Sequence, residues 1–133
     1  MSLTADRNTP LKETECLGVL VAGGVKIFAG ALVCANATGF ATPGATAATL
    51  TYLGRAESYV DNTAGIDGAQ EIIVRRKRAF KWINYATDLL TQANIGQTVY
   101  IVDDQTVAKT NGGATRSPGG KLLGIDTDGV WVE

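Results

Sequence analysis

Residues 97–109 (Gln-Thr-Val-Tyr-Ile-Val-Asp-Asp-Gln-Thr-Val-Ala-Lys) and 120–133 (Gly-Lys-Leu-Leu-Gly-Ile-Asp-Thr-Asp-Gly-Val-Trp-Val-Glu) share one design. In each, an apolar run of β-branched or aromatic residues meets an acidic turn, and a second apolar run comes after it. That is the sequence form of a β-hairpin. Val, Ile, Tyr and Trp suit a pleated, half-buried surface, while Asp tolerates unusual turn backbone. Asp128-Gly129 supplies the strongest short-range turn signal. A chain built this way folds into short paired strands, and the spacing predicts an all-β domain.

The rest of the chain agrees. Sixteen glycines and a charged fraction of only 19% favour turns and packed strands over long solvent-facing helices. At 133 residues the chain is large enough to bury a core without staples. Cys16 rises out of a polar stretch containing Pro10, so residues 1–15 read as an extended arm and 16–133 as one β-rich domain. Within it, Val25–Asn36 is strand-like with Gly30 allowing a bend, and Ala37-Thr38-Gly39 is a turn. Tyr52–Val60 alternates, with Tyr52, Ala56 and Val60 on one face and Leu53, Arg55, Glu57 and Tyr59 on the other. Asp88–Gly96 has the look of a single helical turn closed by Gly96. Seven to nine short strands with at most that one helical turn make a small Gly-rich β-barrel or sandwich. Its core should include Val99, Ile101, Leu123, Ile125, Val130 and Val132.

The side chains offer little for catalysis. Histidine is absent, which removes the commonest general base and metal ligand. Ser2, Ser58 and Ser117 therefore have no such partner. Cys16 and Cys34 each lie in apolar sequence and read as small buried hydrophobes. Thr115–Leu122 ends in Gly-Lys but lacks the rest of a phosphate loop, and reads as a loop between two hairpins. Asp103-Asp104 and Asp126/Asp128 fall at hairpin tips, where Asp is favoured for backbone reasons alone. The expectation is a non-enzyme with no cofactor and no metal. The net charge of −1 argues against a general nucleic-acid binder. No apolar run approaches a membrane span, which points to a soluble protein without a membrane partner.

One cluster stands apart. Arg75-Arg76-Lys77-Arg78 is flanked by Ile72, Ile73 and Val74 before it and by Phe80, Trp82 and Ile83 after. One regular strand through all of it would put Arg76 and Arg78 on the face of Ile72, Val74, Phe80 and Trp82, at a heavy cost for unpaired buried cations. Either a bulge resets the alternation, or the middle of the strand is exposed. Three uses are open: a guarded solvated edge, contact with an acidic protein surface, or nucleic-acid binding by the cations beside Phe80 and Trp82.

Ala29-Gly-Ala-Leu-Val-Cys34 with Thr38-Gly-Phe-Ala-Thr-Pro43, and Leu53-Gly-Arg-Ala-Glu57 with Val60-Asp-Asn62, resemble the head-decoration, or capsid cement, proteins of tailed bacteriophages. Asp88…Ile95-Gly96…Val99-Tyr100…Asp103-Asp104 and the closing Leu123–Val132 continue the resemblance, which spans residues 17–133. These are turn-and-strand patterns rather than catalytic signatures. The resemblance implies a compact β-rich virion protein, often trimeric, that sits on the assembled shell and grips it with an N-terminal arm. Its partners would be the major capsid protein and further copies of itself. Its place would be the capsid surface, after assembly in the host cytoplasm. Candidate contact residues on this reading are Asp6, Arg7, Pro10 and Leu11 in the arm, with Arg75, Arg76, Lys77 and Arg78. The basic run departs from the resemblance, which implies no role for it. The alternative reading is a small β-barrel nucleic-acid-binding module using Arg75–Arg78.

Overall fold

The computed structural model describes residues 1–133. It is all-β, with twelve strands and a single 3-10 turn at Gln92–Asn94, closed by Gly96 in the left-handed region at φ 82°. The count exceeds the expected seven to nine because turns and bulges cut the apolar runs into shorter pieces. Val25–Asn36, for example, divides into β2 (Lys26–Ile27) and β3 (Leu32–Ala35), with the bend at Phe28–Ala31 between them.

The strands form two halves. In the first, β1 (Cys16–Leu20), β7 (Glu71–Arg75), β5 (Thr51–Ala56), β3 and β4 (Ala41–Pro43) lie side by side in that order. Val21, just past β1, bridges to Ala41 of β4, drawing the sheet's two edges together at one end. The small pair β2–β6, with β6 at Val60–Asp61, packs beside this half. The second half is a closed five-stranded barrel in the order β10 (Thr106–Ala108), β8 (Phe80–Asn84), β12 (Gly129–Val132), β11 (Pro118–Asp126), β9 (Thr98–Ile101). Both expected hairpins are present, as β9–β10 and β11–β12. In the second, Asp126 pairs with Gly129, so Thr127-Asp128 forms the turn and Gly129 already belongs to a strand.

Each half has its own core, and β3 is the wall between them. Leu32 and Cys34 join Phe80, Trp82, Leu90, Val99, Ile101, Val107, Leu122, Val130 and Val132 inside the barrel. Val33, on the opposite face of the same strand, joins Val21, Ile27, Ala31, Ala41, Ala56, Ile72 and Val74 in the first half. A strand buried on both faces reads as an unbroken apolar run, as Leu32-Val33-Cys34 does.

Two bulges revise the face assignments made from alternation. Opposite Val33 and Cys34, β5 supplies Gly54 and Tyr52, so Leu53 is an extra residue. Tyr52 then packs on the barrel core, while Leu53 and Ala56 turn to the other, contrary to the expected pairing of Tyr52 with Ala56. Gly54 makes this possible. At φ 148°, with the Arg75 carbonyl lying where a Cβ would be, only glycine fits. In β11 the register shifts between Leu122 and Gly124. Leu122 goes fully inside, Leu123 is left 49% exposed and Ile125 is half-buried, so the expected place of Leu123 in the core is corrected. Val99, Ile101, Val130 and Val132 are fully buried as expected. Pro118–Lys121, expected in a loop, instead pairs with β9 as the start of β11.

Candidate docking surface at the root of the arm

Segment 1–15 runs into β1 without regular structure of its own. Leu3 and Leu11 are 72% and 94% exposed. Asp6, Arg7 and Pro10 are likewise exposed. Residues 1–14 make no hydrogen bond and no ion pair with the rest of the chain, so nothing in the molecule repays the entropy of ordering them. The first anchoring residue is Glu15. Its carbonyl accepts from Arg76 N at 2.7 Å, and its Oε1 accepts from Arg78 Nε at 2.7 Å and Arg75 Nη1 at 3.3 Å.

The basic run is therefore the arm's mooring, and beyond Arg75 it is not a strand. β7 ends at Arg75 and β8 starts at Phe80, with Lys77 in the left-handed region at φ 59°. The chain leaves the first sheet and enters the barrel across this turn. That resolves the alternation conflict. Ile72 and Val74 face one core, Phe80 and Trp82 face the other, and the cations between them stay at the surface.

The four cations divide into two kinds. Arg75 donates to Glu57 Oε1 at 2.9 Å, and Arg55 reaches the same oxygen at 2.6 Å while lying over the Phe80 ring at 4.9 Å from its centroid. The hydrogen bonds from Arg75 and then Arg55 hold the Glu57 carboxyl below its ordinary range; the Glu57 bond in turn raises Arg75. Arg75 and Arg78 are thus tied to Glu57 and Glu15, while Arg76 and Lys77 form no ion pair. Such partly exposed pairs fix geometry more than they stabilise. Glu15, Glu57 and Arg55 were not singled out in sequence. Arg55 and Glu57 are two apart, the spacing of one strand face and a local signal, whereas the pairs of Glu57 and Glu15 with Arg75 and Arg78 span 18 to 63 positions and depend on topology.

Other candidates resolve differently. Phe80 and Trp82 point into the barrel, so neither ring is offered to a base. The indole Nε1 of Trp82 and the hydroxyl of Tyr52 are buried, and they face each other. Asp126 and Asp128 both pair with Lys81, at 3.2 and 2.8 Å, beneath the ring of Trp131, whose Nε1 donates to Asp126 at 2.8 Å. Asp103 and Asp104 form no ion pair; Asp104 lines an open cleft. Ser117 is fully buried, donating to Ala47 O and accepting from Leu50 N. Cys34 is buried, and burial pushes its thiol up to about 12; Cys16, expected inside, lies exposed on the edge strand. No group of three or more His, Cys, Asp or Glu side chains converges as metal ligands do. No helix is long and apolar enough to cross a membrane. No family model, curated protein or solved structure matches this chain.

Proposed function

We propose that this is a virion structural protein that decorates and stabilises a bacteriophage capsid by binding between major capsid protein subunits, and that it self-associates, as a homotrimer, on the shell. The observation that carries this reading is the arm. Fourteen residues with two solvent-exposed leucines make no bond to their own domain, yet their root is fixed by Glu15 to Arg75 and Arg78. An element moored at its base and unsatisfied along its length is suited to order on another surface, which supplies the burial that the domain does not. Several arms on one oligomer then act together, because each later contact is intramolecular. The resemblance of residues 17–133 to decoration proteins supports the same reading.

The test is co-sedimentation with assembled capsid shells of tailed bacteriophages. The full chain should pellet with the shells, and a chain lacking residues 1–12 should remain in the supernatant with an unchanged β-type circular dichroism spectrum. An arm-deleted chain that decorated shells at full affinity would refute the arm mechanism.

A further inference from the structure

Two pairs of sequence neighbours are left without counter-charges: Arg76-Lys77 among the cations and Asp103-Asp104 among the anions. Asp103 is committed to its own turn, its Oδ1 accepting from Gln105 N at 2.9 Å. The Asp104 carboxylate has no partner beyond its own backbone. It lines an open cleft of about 370 Å³ together with Phe28, Ala29, Gly30, Ala31 and Gln105. Phe28 is 55% exposed and is braced from one side by Tyr59, with ring centroids 5.5 Å apart. Burial first, then the charge of Asp103, raises the Asp104 carboxyl above its ordinary range. A carboxylate partly stripped of water, beside a like charge, gains from an arriving cation in two ways. The ion pair forms in reduced dielectric, and the repulsion from Asp103 is offset.

We propose that the Phe28–Asp104 cleft receives the Arg76-Lys77 turn of a second copy of this chain. The inference rests on the self-association proposed above and supplies its contact. Lys109 and Lys121 are exposed and in no ion pair but stand singly, whereas Arg76-Lys77 brings two cations together. Lys26 already lies over the Phe28 ring, 5.9 Å from its centroid. Arg7 and Lys12 sit singly on the arm and would have to be ordered before binding. The turn is organised in advance: Lys77 holds a tight left-handed conformation, while Arg75 and Arg78 on either side are fixed by Glu57 and Glu15. Cleft and turn are different patches of one surface, so the contact joins copies head to tail, as in assemblies that close into rings.

Charge reversal with exchange tests this by sedimentation velocity over a range of concentrations. Asp104→Arg alone, and Arg76→Glu with Lys77→Glu, should each weaken self-association roughly tenfold or more, since like charges then meet. The milder Asp104→Asn should move the same way. Mixing the two reversed chains should restore association in part, because in a ring of three two of the three contacts then join opposite charges while the third joins like chains. Lys121→Glu, at an exposed cation in no ion pair, should leave association unchanged. Reversals without effect, a mixture that recovers no association, or an equal loss produced by Lys121→Glu would overturn the cleft while leaving self-association standing. A wild-type chain monomeric at every concentration would remove both. Shell binding, read separately by co-sedimentation, reports on the arm.

Discussion

Leu122 and Leu123 are chemically identical neighbours that the bulge in β11 sends to opposite environments, and this contrast can be measured. Leu122 is fully buried among the barrel residues, whereas Leu123 is 49% exposed. Leu122→Ala removes buried methyl groups and leaves a cavity that a closed barrel can only partly collapse, a loss of about 3 kcal/mol, with measured cases running from about 2 to 5. Leu123→Ala removes only part of a leucine's burial and leaves no cavity, a loss of about 0.5–1 kcal/mol. For 133 residues the entropy of unfolding is roughly 0.3 kcal/mol per degree, so the first change lowers Tm by roughly 10 °C and the second by roughly 2–3 °C. Thermal melts monitored by circular dichroism, with denaturant midpoints as a check, resolve the two easily. Equal losses, or a larger loss at Leu123, would mean that alternation runs unbroken through β11 and that the bulge is misplaced.

Further outcomes can be checked with small changes. Gly54→Ala should be among the most damaging single substitutions, costing about 3 kcal/mol or more, because it combines a forbidden backbone conformation with a collision at the Arg75 carbonyl; a melt within a few degrees of wild type would contradict the bulge in β5. Asp88 accepts from Thr110 N and Oγ1 and from Arg116 Nη1, and the Thr110 hydroxyl bond above all lowers its carboxyl below 3.8. The unfolded chain binds that proton first as pH falls, so the stability Asp88 contributes is complete above its ordinary value and lost as pH drops through the folded one. Asp88→Asn should therefore be less stable than wild type near neutrality, with the gap in urea midpoint closing below about pH 3.8; a gap independent of pH would sink the assignment. A thiol reagent should modify one cysteine per folded chain, Cys16, and reach Cys34 only on unfolding; two fast equivalents in the native protein would show the barrel to be open.

Much of the fold is legible in the sequence because β-hairpins are local. The runs around Asp103-Asp104 and Asp126-Thr127-Asp128 carry both their strand chemistry and their turn chemistry within fifteen residues, and both hairpins form. Gly96 marks the end of its helical turn by the same local logic. Errors arise where one extra residue changes the face. Period-two alternation cannot anticipate that Leu53 and Leu123 are bulged, and a single insertion exchanges inside and outside for the residues beyond it. The same limit applies to the basic run. Its sequence conflict, cations on an apolar face, is real, but the resolution lies in the existence of two cores, which no local pattern reports. The mooring of the arm is a long-range charge match. Arg75 and Arg78 are visible as cations, but Glu15 and Glu57 become their partners only once β1, β5 and β7 lie side by side.

That the arm's mooring and the cleft both lie where the two halves meet has a physical cause. Inside either half the strands satisfy one another's backbone groups and bury their apolar faces, and β3, shared by both cores, fixes the halves to each other. Where the chain or the surface passes from one half to the other, this regularity stops. The Arg75–Phe80 crossing leaves a strand end, so it can hold four cations in sequence without burying any. It also moors Glu15. The cleft is assembled the same way, with Phe28–Ala31 from the first half and Asp104–Gln105 from the barrel; Leu32 N donates to Asp104 O at 2.7 Å to join them. At such seams most side chains, Ala31 aside, stay outside both cores. On the docking proposed above, β3, shared by both cores, is what holds the root of the arm and the cleft on one frame.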